Sequence, residues 1–360
     1  MSEPPSMPLK DVRAWCDDLF EPRAGVYWVD FLLSAAVGWA AFAASVAAPR
    51  GGLAHAGWTA LAALALYRAV LFTHELTHAA RVKLPGFPAA WDALAGVPLL
   101  LPSFMYQEVH TLHHRRSVYG TPGDPEYLPF GCGPRARIVR YLVEPLVLPA
   151  LLFARFAILA PVSLVVGGRL RKLVIAGASS LAINYAFRRE PPQAHLRRRW
   201  LVTEVAAWLV CWTVVALILA GRLPAATLVQ WYGISAGVAF VNALRTLGAH
   251  RYRNAGGEMD VDGQLYDSVN VPGAWWTELW APVGLRYHGL HHFVPDLPYH
   301  ALGTAHRRIV ARVPADSPYF RTVNPNLWTG IRGLWRDAGR RRDAQDVGAR
   351  GPSTAGAASA

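Results

Sequence analysis

Cysteine is scarce in this chain. Its 360 residues include only Cys16, Cys132 and Cys211, and no two of them form a C-x-x-C pair. A disulfide framework, an iron–sulfur site and a rubredoxin-like extension are thereby excluded. Lysine is equally rare, at Lys10, Lys83 and Lys172 only, so arginine carries the formal net charge of +12. The opening stretch MSEPPSMPLKDVRAWCDDLFEPR lacks a short apolar core with a small-residue cleavage site. No cleavable signal peptide is expected, and the first apolar run should remain as an anchor.

What is abundant is apolar sequence in long blocks. Hydrophobic residues make up 53% of the chain and the mean hydropathy is +0.19. A bilayer span needs about 20 apolar residues, and four segments qualify: 28–48, 57–78, 200–220 and 224–247. The connectors PRGGLAHA and GRLP are short, so the segments pair into two hairpins. The expected architecture is all-α and integral to the membrane, with four transmembrane helices, a cytosolic helical cap and interfacial helices. The basic residues cluster at the ends of the apolar blocks, in ARVK, HHRRS, FRREPPQAHLRRR and HRYRN. That pattern argues for positive-inside topology and against nucleic acid. It places both termini and these loops in the cytoplasm, and residues 49–56 and 221–223 on the far side. Residues 138–187 carry two apolar runs broken by Glu144, Pro145, Pro149, Arg155 and Pro161. These are expected to be interfacial or half-inserted, as is the proline-broken stretch 89–106. Residues 1–27 read as a cytosolic N-terminal segment, 28–310 as the membrane domain, and 311–360 as a cytosolic tail disordered toward its end.

Eight of the 13 histidines fall in three short boxes: His74 and His78 in HELTH; His110, His113 and His114 in HTLHH; His288, His291 and His292 in HGLHH. Residues three or four apart share a helix face, so His74 and His78 can hold one metal from consecutive turns. In H-x-x-H-H the adjacent histidines diverge by about 100°, which lets one box address two neighbouring ions. Neutral imidazole suits iron, zinc and copper, so spacing alone does not choose the metal. HELTH by itself also fits the helix of a zinc peptidase, with Glu75 as base. That reading leaves the other clustered histidines without a task.

The order HELTH, HTLHH, HGLHH, with one hairpin before the last box, resembles the integral-membrane fatty acid desaturase family over roughly residues 25 to 310. NALRTLGAHRYRN, 242–254, is similar to the family region that donates one more histidine, here His250. The resemblance implies a four-span fold with a cytosolic cap and an apolar tunnel for an acyl chain. It implies two non-haem irons held by His74, His78, His110, His113, His114, His250, His288, His291 and His292. Animal acyl-CoA members carry an asparagine four residues before the equivalent of His250. Here that residue is Thr246, leaving Asn270 in DSVN, or water, as the source of a tenth ligand.

The implied reaction is oxygen-dependent desaturation of a fatty acyl chain carried as a lipid, as acyl-CoA or on a carrier protein. Hydroxylation by the same superfamily is the alternative, and a zinc membrane protease a more distant one. Glu75, Glu108, Asp124, Asp267 and Glu278 are candidates to orient ligand imidazoles through their second ring nitrogen. No histidine precedes His55 or follows His306, so neither tail holds the haem ligands of a fused cytochrome b5. A separate, ferredoxin-like donor is implied, which Arg115, Arg116, Arg251 and Arg253 could steer. A bacterial inner membrane with the active site on its cytoplasmic face is the expected location.

Overall fold

The computed structural model describes residues 9–78 and 84–349, with side chains through residue 339. Among the described residues the protein is all-helical, with isolated β-bridges in place of strands. Helices α1 (Ala24–Ala47) and α2 (Leu53–Thr77) form the first expected hairpin. Gly38 lets them approach closely: a Cβ there would lie 2.7 Å from Leu66 Cδ2, the small-residue contact that packs helices in a membrane. Arg68 of α2 adds two hydrogen bonds to the Asp30 carboxylate of α1, at 2.7 and 2.6 Å.

After α3 (Gln107–His113) comes a long apolar helix, α4 (Leu148–Val166). A π-helical turn at Arg155–Leu159 precedes Pro161, which has no N–H to donate. Helices α5 (Gly168–Ala178), α6 (Arg197–Leu219) and α7 (Ala226–Ala249) follow. The cap then adds α8 (His288–Phe293), α9 (Tyr299–Val310) and α10 (Leu327–Ala349).

Among the described residues, four helices are long and apolar enough to cross a membrane: α1, α2, α4, and α6 with its preceding turn, Ala194–Leu219. Three match expected spans. The fourth, residues 148–166, lies in the region expected to be interfacial or half-inserted, and it qualifies by length and composition. Its interruptions are compensated internally: Arg155 donates to Glu204 of α6 at 2.6 Å, and Arg171 of α5 donates to both oxygens of the same carboxylate at 2.8 and 2.7 Å. A charge neutralised in this way no longer forces a segment out to the interface. The expected span at 224–247 is the continuous helix α7. It is largely apolar but carries Gln230, Ser235, Asn242 and Arg245, and it is not one of those four.

The chain after residue 310 packs back onto this body. Leu334 and Ala338 of α10 are buried with Tyr119, Tyr127, Phe130 and Tyr252. Helix α10 runs to Ala349, into the stretch expected to be disordered. Residues 350–360 and the ARVK arginine and lysine lie outside the described residues.

Candidate metal centre

The first box closes α2, so His74 projects from its last turn and His78 caps it. The second box is the end of α3, and the third is α8. His250 follows α7, where the backbone turns extended. Two residues later Tyr252 adopts φ +54, a left-handed conformation rare outside glycine. Its carbonyl accepts from Gly131 N at 3.0 Å. The end of the helix Val261–Asp267 and the short extended segment 268–271 after it tie these pieces together: Arg251 N donates to Asp267 O at 2.7 Å, Val269 N to Ala249 O at 2.8 Å, and Gly289 N to Val269 O at 3.1 Å.

The nine histidines meet in two groups. His74, His78, His110, His114 and His291 form one, His113, His250, His288 and His292 the other, and within each group one nitrogen per ring lies within 4.8 Å of all the rest. Several rings face each other Nε2 to Nε2: His110–His114 at 3.0 Å, His114–His291 at 3.2 Å, His250–His288 at 2.9 Å and His288–His292 at 3.1 Å. Ligands bonded at about 2.1 Å to one ion, at octahedral to tetrahedral angles, stand about 3.0–3.4 Å apart. Both nitrogens of buried His74 lack a hydrogen-bond partner, as does Nδ1 of His288, His291 and His292. Orphaned buried nitrogens are costly. A shared cation would satisfy those aimed inward, so the donor set fits a metal pair.

Burial, reinforced by neighbouring rings, holds His110, His114, His250, His288, His291 and His292 well below the usual imidazole range. Neutral imidazoles with free lone pairs are what a metal requires. His113 is the exception: burial pulls it down, but the adjoining Asp124 carboxylate outweighs that and the net shift is upward.

Carboxylates behind the rings set their orientation. His113 Nδ1 lies 3.0 and 2.9 Å from the two oxygens of fully buried Asp124. His110 Nδ1 lies 3.0 Å from Glu126 Oε2 and 3.0 Å from Tyr106 OH. His250 Nδ1 lies 2.9 Å from Tyr119 OH, which donates onward to Asp267 Oδ2 at 3.2 Å. Burial pushes Glu126 up to about 7 and Asp267 up to about 6. Of the five acids expected in this role, Asp124 fills it directly and Asp267 through Tyr119. Glu108 instead accepts from Arg189 at 2.6 Å, and Glu278 pairs with Arg68 and Arg286. Glu75 is 3.6 Å from His74 Nδ1, too far for a hydrogen bond. Its Oε2 accepts from Tyr27 OH at 2.5 Å and Tyr299 N at 3.2 Å, which ties up the group a peptidase would use as base. Glu126 was missed, although it stands two residues from Asp124 in the same loop.

Asn270 is not placed as a ligand. Its Nδ2 donates to Thr322 Oγ1 at 2.7 Å and its Oδ1 accepts from Leu290 N at 2.9 Å, so both polar atoms serve to hold α8. The four remaining histidines lie apart from both groups. His55 bonds Ser45 O in the α1–α2 hairpin, His195 is exposed, His300 accepts from Arg23 N, and His306 meets Tyr319 OH. Arg115 and Arg116 are exposed beside the second box, whereas Arg253 is paired with Asp337 and Arg251 bonds Tyr266 O.

A cavity of about 640 Å³ reaches this site, with His74 and Tyr106 in its lining. Its walls are largely apolar, including Val70, Leu71, Leu99, Leu148 and Leu152. The volume lies in the range of lipid- and drug-sized pockets.

Residues 51–324 match the family model described as "Fatty acid desaturase". The chain is also 42% identical, over 322 residues, to the "Ceramide hydroxylase" of Caulobacter vibrioides (strain NA1000 / CB15N), covering 89% of this chain and 91% of that protein. This chain belongs to the fatty acid desaturase family, an oxidoreductase superfamily that includes hydroxylases. It is an integral membrane enzyme whose histidine clusters could hold metal.

Proposed function

We propose that this protein hydroxylates a ceramide-type lipid at a histidine-held di-iron site. The observation that carries this reading is the 42% identity to a ceramide hydroxylase, sustained over 89% of the chain. It favours hydroxylation over the desaturation expected from the boxes alone. The two outcomes share one site geometry, so ligand spacing does not separate them.

The nine histidines are the ligands in this reading. Asp124, Glu126 and the Tyr119–Asp267 pair hold three of those imidazoles in one tautomer and orientation. When bound, iron supplies activation of O2, an oxidant strong enough to attack an unactivated methylene. Overall, one C–H bond becomes C–OH, O2 and two electrons with two protons are consumed, and one water leaves. The cavity walls exclude water and align the lipid chain against His74. Electrons come from a separate donor protein, with exposed Arg115 and Arg116 offering a cationic approach beside the second box. In this reading the face lies on the cytoplasmic side of a bacterial inner membrane, which the positive-inside pattern of the basic loops supports.

Expression in a ceramide-producing host without the enzyme, followed by mass spectrometry of its lipids, tests the reading. The expected product gains one oxygen; a product that has instead lost two hydrogens refutes hydroxylation. A paired substitution tests the metal role. His113→Ala should abolish conversion and Glu75→Gln should retain much of it, because a glutamine can still accept from Tyr27 and Tyr299. The reverse result would support a zinc peptidase.

A further inference from the structure

Among the described residues, the buried and half-buried arginines meet either a carboxylate or, as Arg137 and Arg251 do, a backbone carbonyl, and Arg245 is the exception to both. Arg68 has Asp30, Arg155 and Arg171 share Glu204, Arg189 has Glu108 and Arg199 has Asp92. Arg245 has no carboxylate at ion-pair distance. Its NH2 donates to Asn242 Oδ1 and to Thr246 Oγ1, each at 3.1 Å, while its buried Nε has no partner. It stands on α7 five residues before His250, and it lines the same cavity as His74 and Tyr106. Ser235 and Thr73, in the same lining, likewise have unpartnered hydroxyls. The other charges in the lining, Arg140 and Glu144, satisfy each other at 3.2 Å.

A guanidinium beside an apolar chamber is costly unless an acceptor meets it. A hydrocarbon tail offers none. A lipid that carries an amide carbonyl and hydroxyls next to its chains does. We propose that Arg245 is a positioning residue that donates to an oxygen of the ceramide's amide–hydroxyl core, so that oxygen is inserted at a carbon close to that core and not far down a chain. This deepens the ceramide-hydroxylase reading and rests on it. The physical ground is that the cavity holds Arg245 and His74 together: whatever oxygen Arg245 grips fixes which methylene lies against the histidines. Guanidinium suits the task because its forked donors can reach a carbonyl and a neighbouring hydroxyl at once.

The test uses full-length protein in detergent, as wild type and as R245Q, which keeps length and removes charge. The probes are a ceramide and a chain-matched analogue whose amide and hydroxyl groups are replaced by methylenes. Binding is measured first on iron-free protein by tryptophan fluorescence, independently of turnover. Wild type should bind ceramide about 10- to 100-fold more tightly than the analogue, the range for a hydrogen bond from a charged donor. R245Q should lose most of that preference while binding the analogue as wild type does. On iron-loaded protein, tandem mass spectrometry should find one hydroxylation position near the polar core for wild type and scattered positions for R245Q. The proposal is overturned if R245Q keeps both the preference and the single position, or weakens the two ligands equally, as a purely structural role would. Should R245Q fail to fold, R245K takes its place and should show a partial loss of the preference; an unchanged preference again overturns it. Wild type that neither binds nor hydroxylates ceramide would sink the underlying reading as well. Wild type that does both while the variant matches it sinks only this proposal.

Discussion

Replacing Asp124 by asparagine should damage the site far more than replacing Glu126 by glutamine, although each change only turns a carboxylate into an amide. Asp124 Oδ1 accepts from His113 Nδ1 at 3.0 Å and from Glu126 N at 2.8 Å; Oδ2 accepts from His113 Nδ1 at 2.9 Å and from Gly120 N at 2.8 Å. Whichever way an asparagine flips, its NH2 faces a backbone N–H. One buried donor is left unmatched, at a cost of about 1–3 kcal/mol, and His113 loses its anionic partner. Glu126 differs: Oε2 accepts from His110 Nδ1 at 3.0 Å and Tyr106 OH at 3.4 Å, while Oε1 has no partner. A glutamine can keep its carbonyl oxygen toward His110 and turn its NH2 into the place of Oε1. Loss of a carboxylate behind a metal-bound histidine weakens metal binding by about 10- to 100-fold. D124N should fall at the upper end with a lowered melting temperature, and E126Q at the lower end with little change. Iron per protein after equilibration with a graded chelator series, together with thermal melts of the same samples, gives both numbers. Equal losses in the two variants, or a larger loss in E126Q, would refute the hydrogen-bond assignment.

Gly131→Ala would place a Cβ 2.9 Å from Tyr252 O and 3.1 Å from Arg251 O; backbone yields poorly, so a destabilisation of about 1–3 kcal/mol is expected by denaturant titration. Ala239→Trp intrudes on the cavity beside Val238, and should cut turnover of long-chain substrate about tenfold or more with iron content unchanged. His306 is pushed down to about 4, first by burial and then by the charges of Arg307 and Arg286. Unfolded, it takes its proton near the ordinary imidazole value of 6.5, so the unfolded chain binds more protons between those values. The stability involved is fully present above about 6.5 and lost as pH falls toward 4, with a ceiling of about 3 kcal/mol. Melting temperatures of His306→Gln and wild type should therefore converge with falling pH across that window; a constant difference would contradict the assignment.

The three histidine boxes could be read from the sequence because helical spacing puts i, i+3 and i+4 side chains on one face, whereas His250 came only from the family resemblance; the structure brings all nine into two groups. The hairpins were legible for the same reason, as unbroken apolar runs. What was hidden depends on partners distant in the chain. Arg155 looked like a reason to keep residues 148–166 at the interface, and only folding brings Glu204, 49 positions on, to neutralise it. Conversely, residues 224–247 read as a span by length, while the polar face of α7 is spent on the cavity and on Thr59, which accepts from Gln230 at 2.6 Å. Glu126 and Asp124 were separable only by the path of the loop after the second box, which carries no periodic signal. Asn270 looked like a ligand because it is polar and near the third box; its backbone and side-chain bonds to Thr322 and Leu290 show a bracket instead.

The division of the histidines has a consequence for biosynthesis. The five-membered group needs His291 and the four-membered group needs His288 and His292, while their earliest member, His74, is made more than two hundred residues before. A nascent chain that has made every helix through α7, and His250 after it, therefore still lacks one of five nitrogens in the first group and two of four in the second. Neither can be completed on the ribosome until the last box emerges. A chain cut short before residue 288 would carry the apolar helices yet assemble neither histidine group.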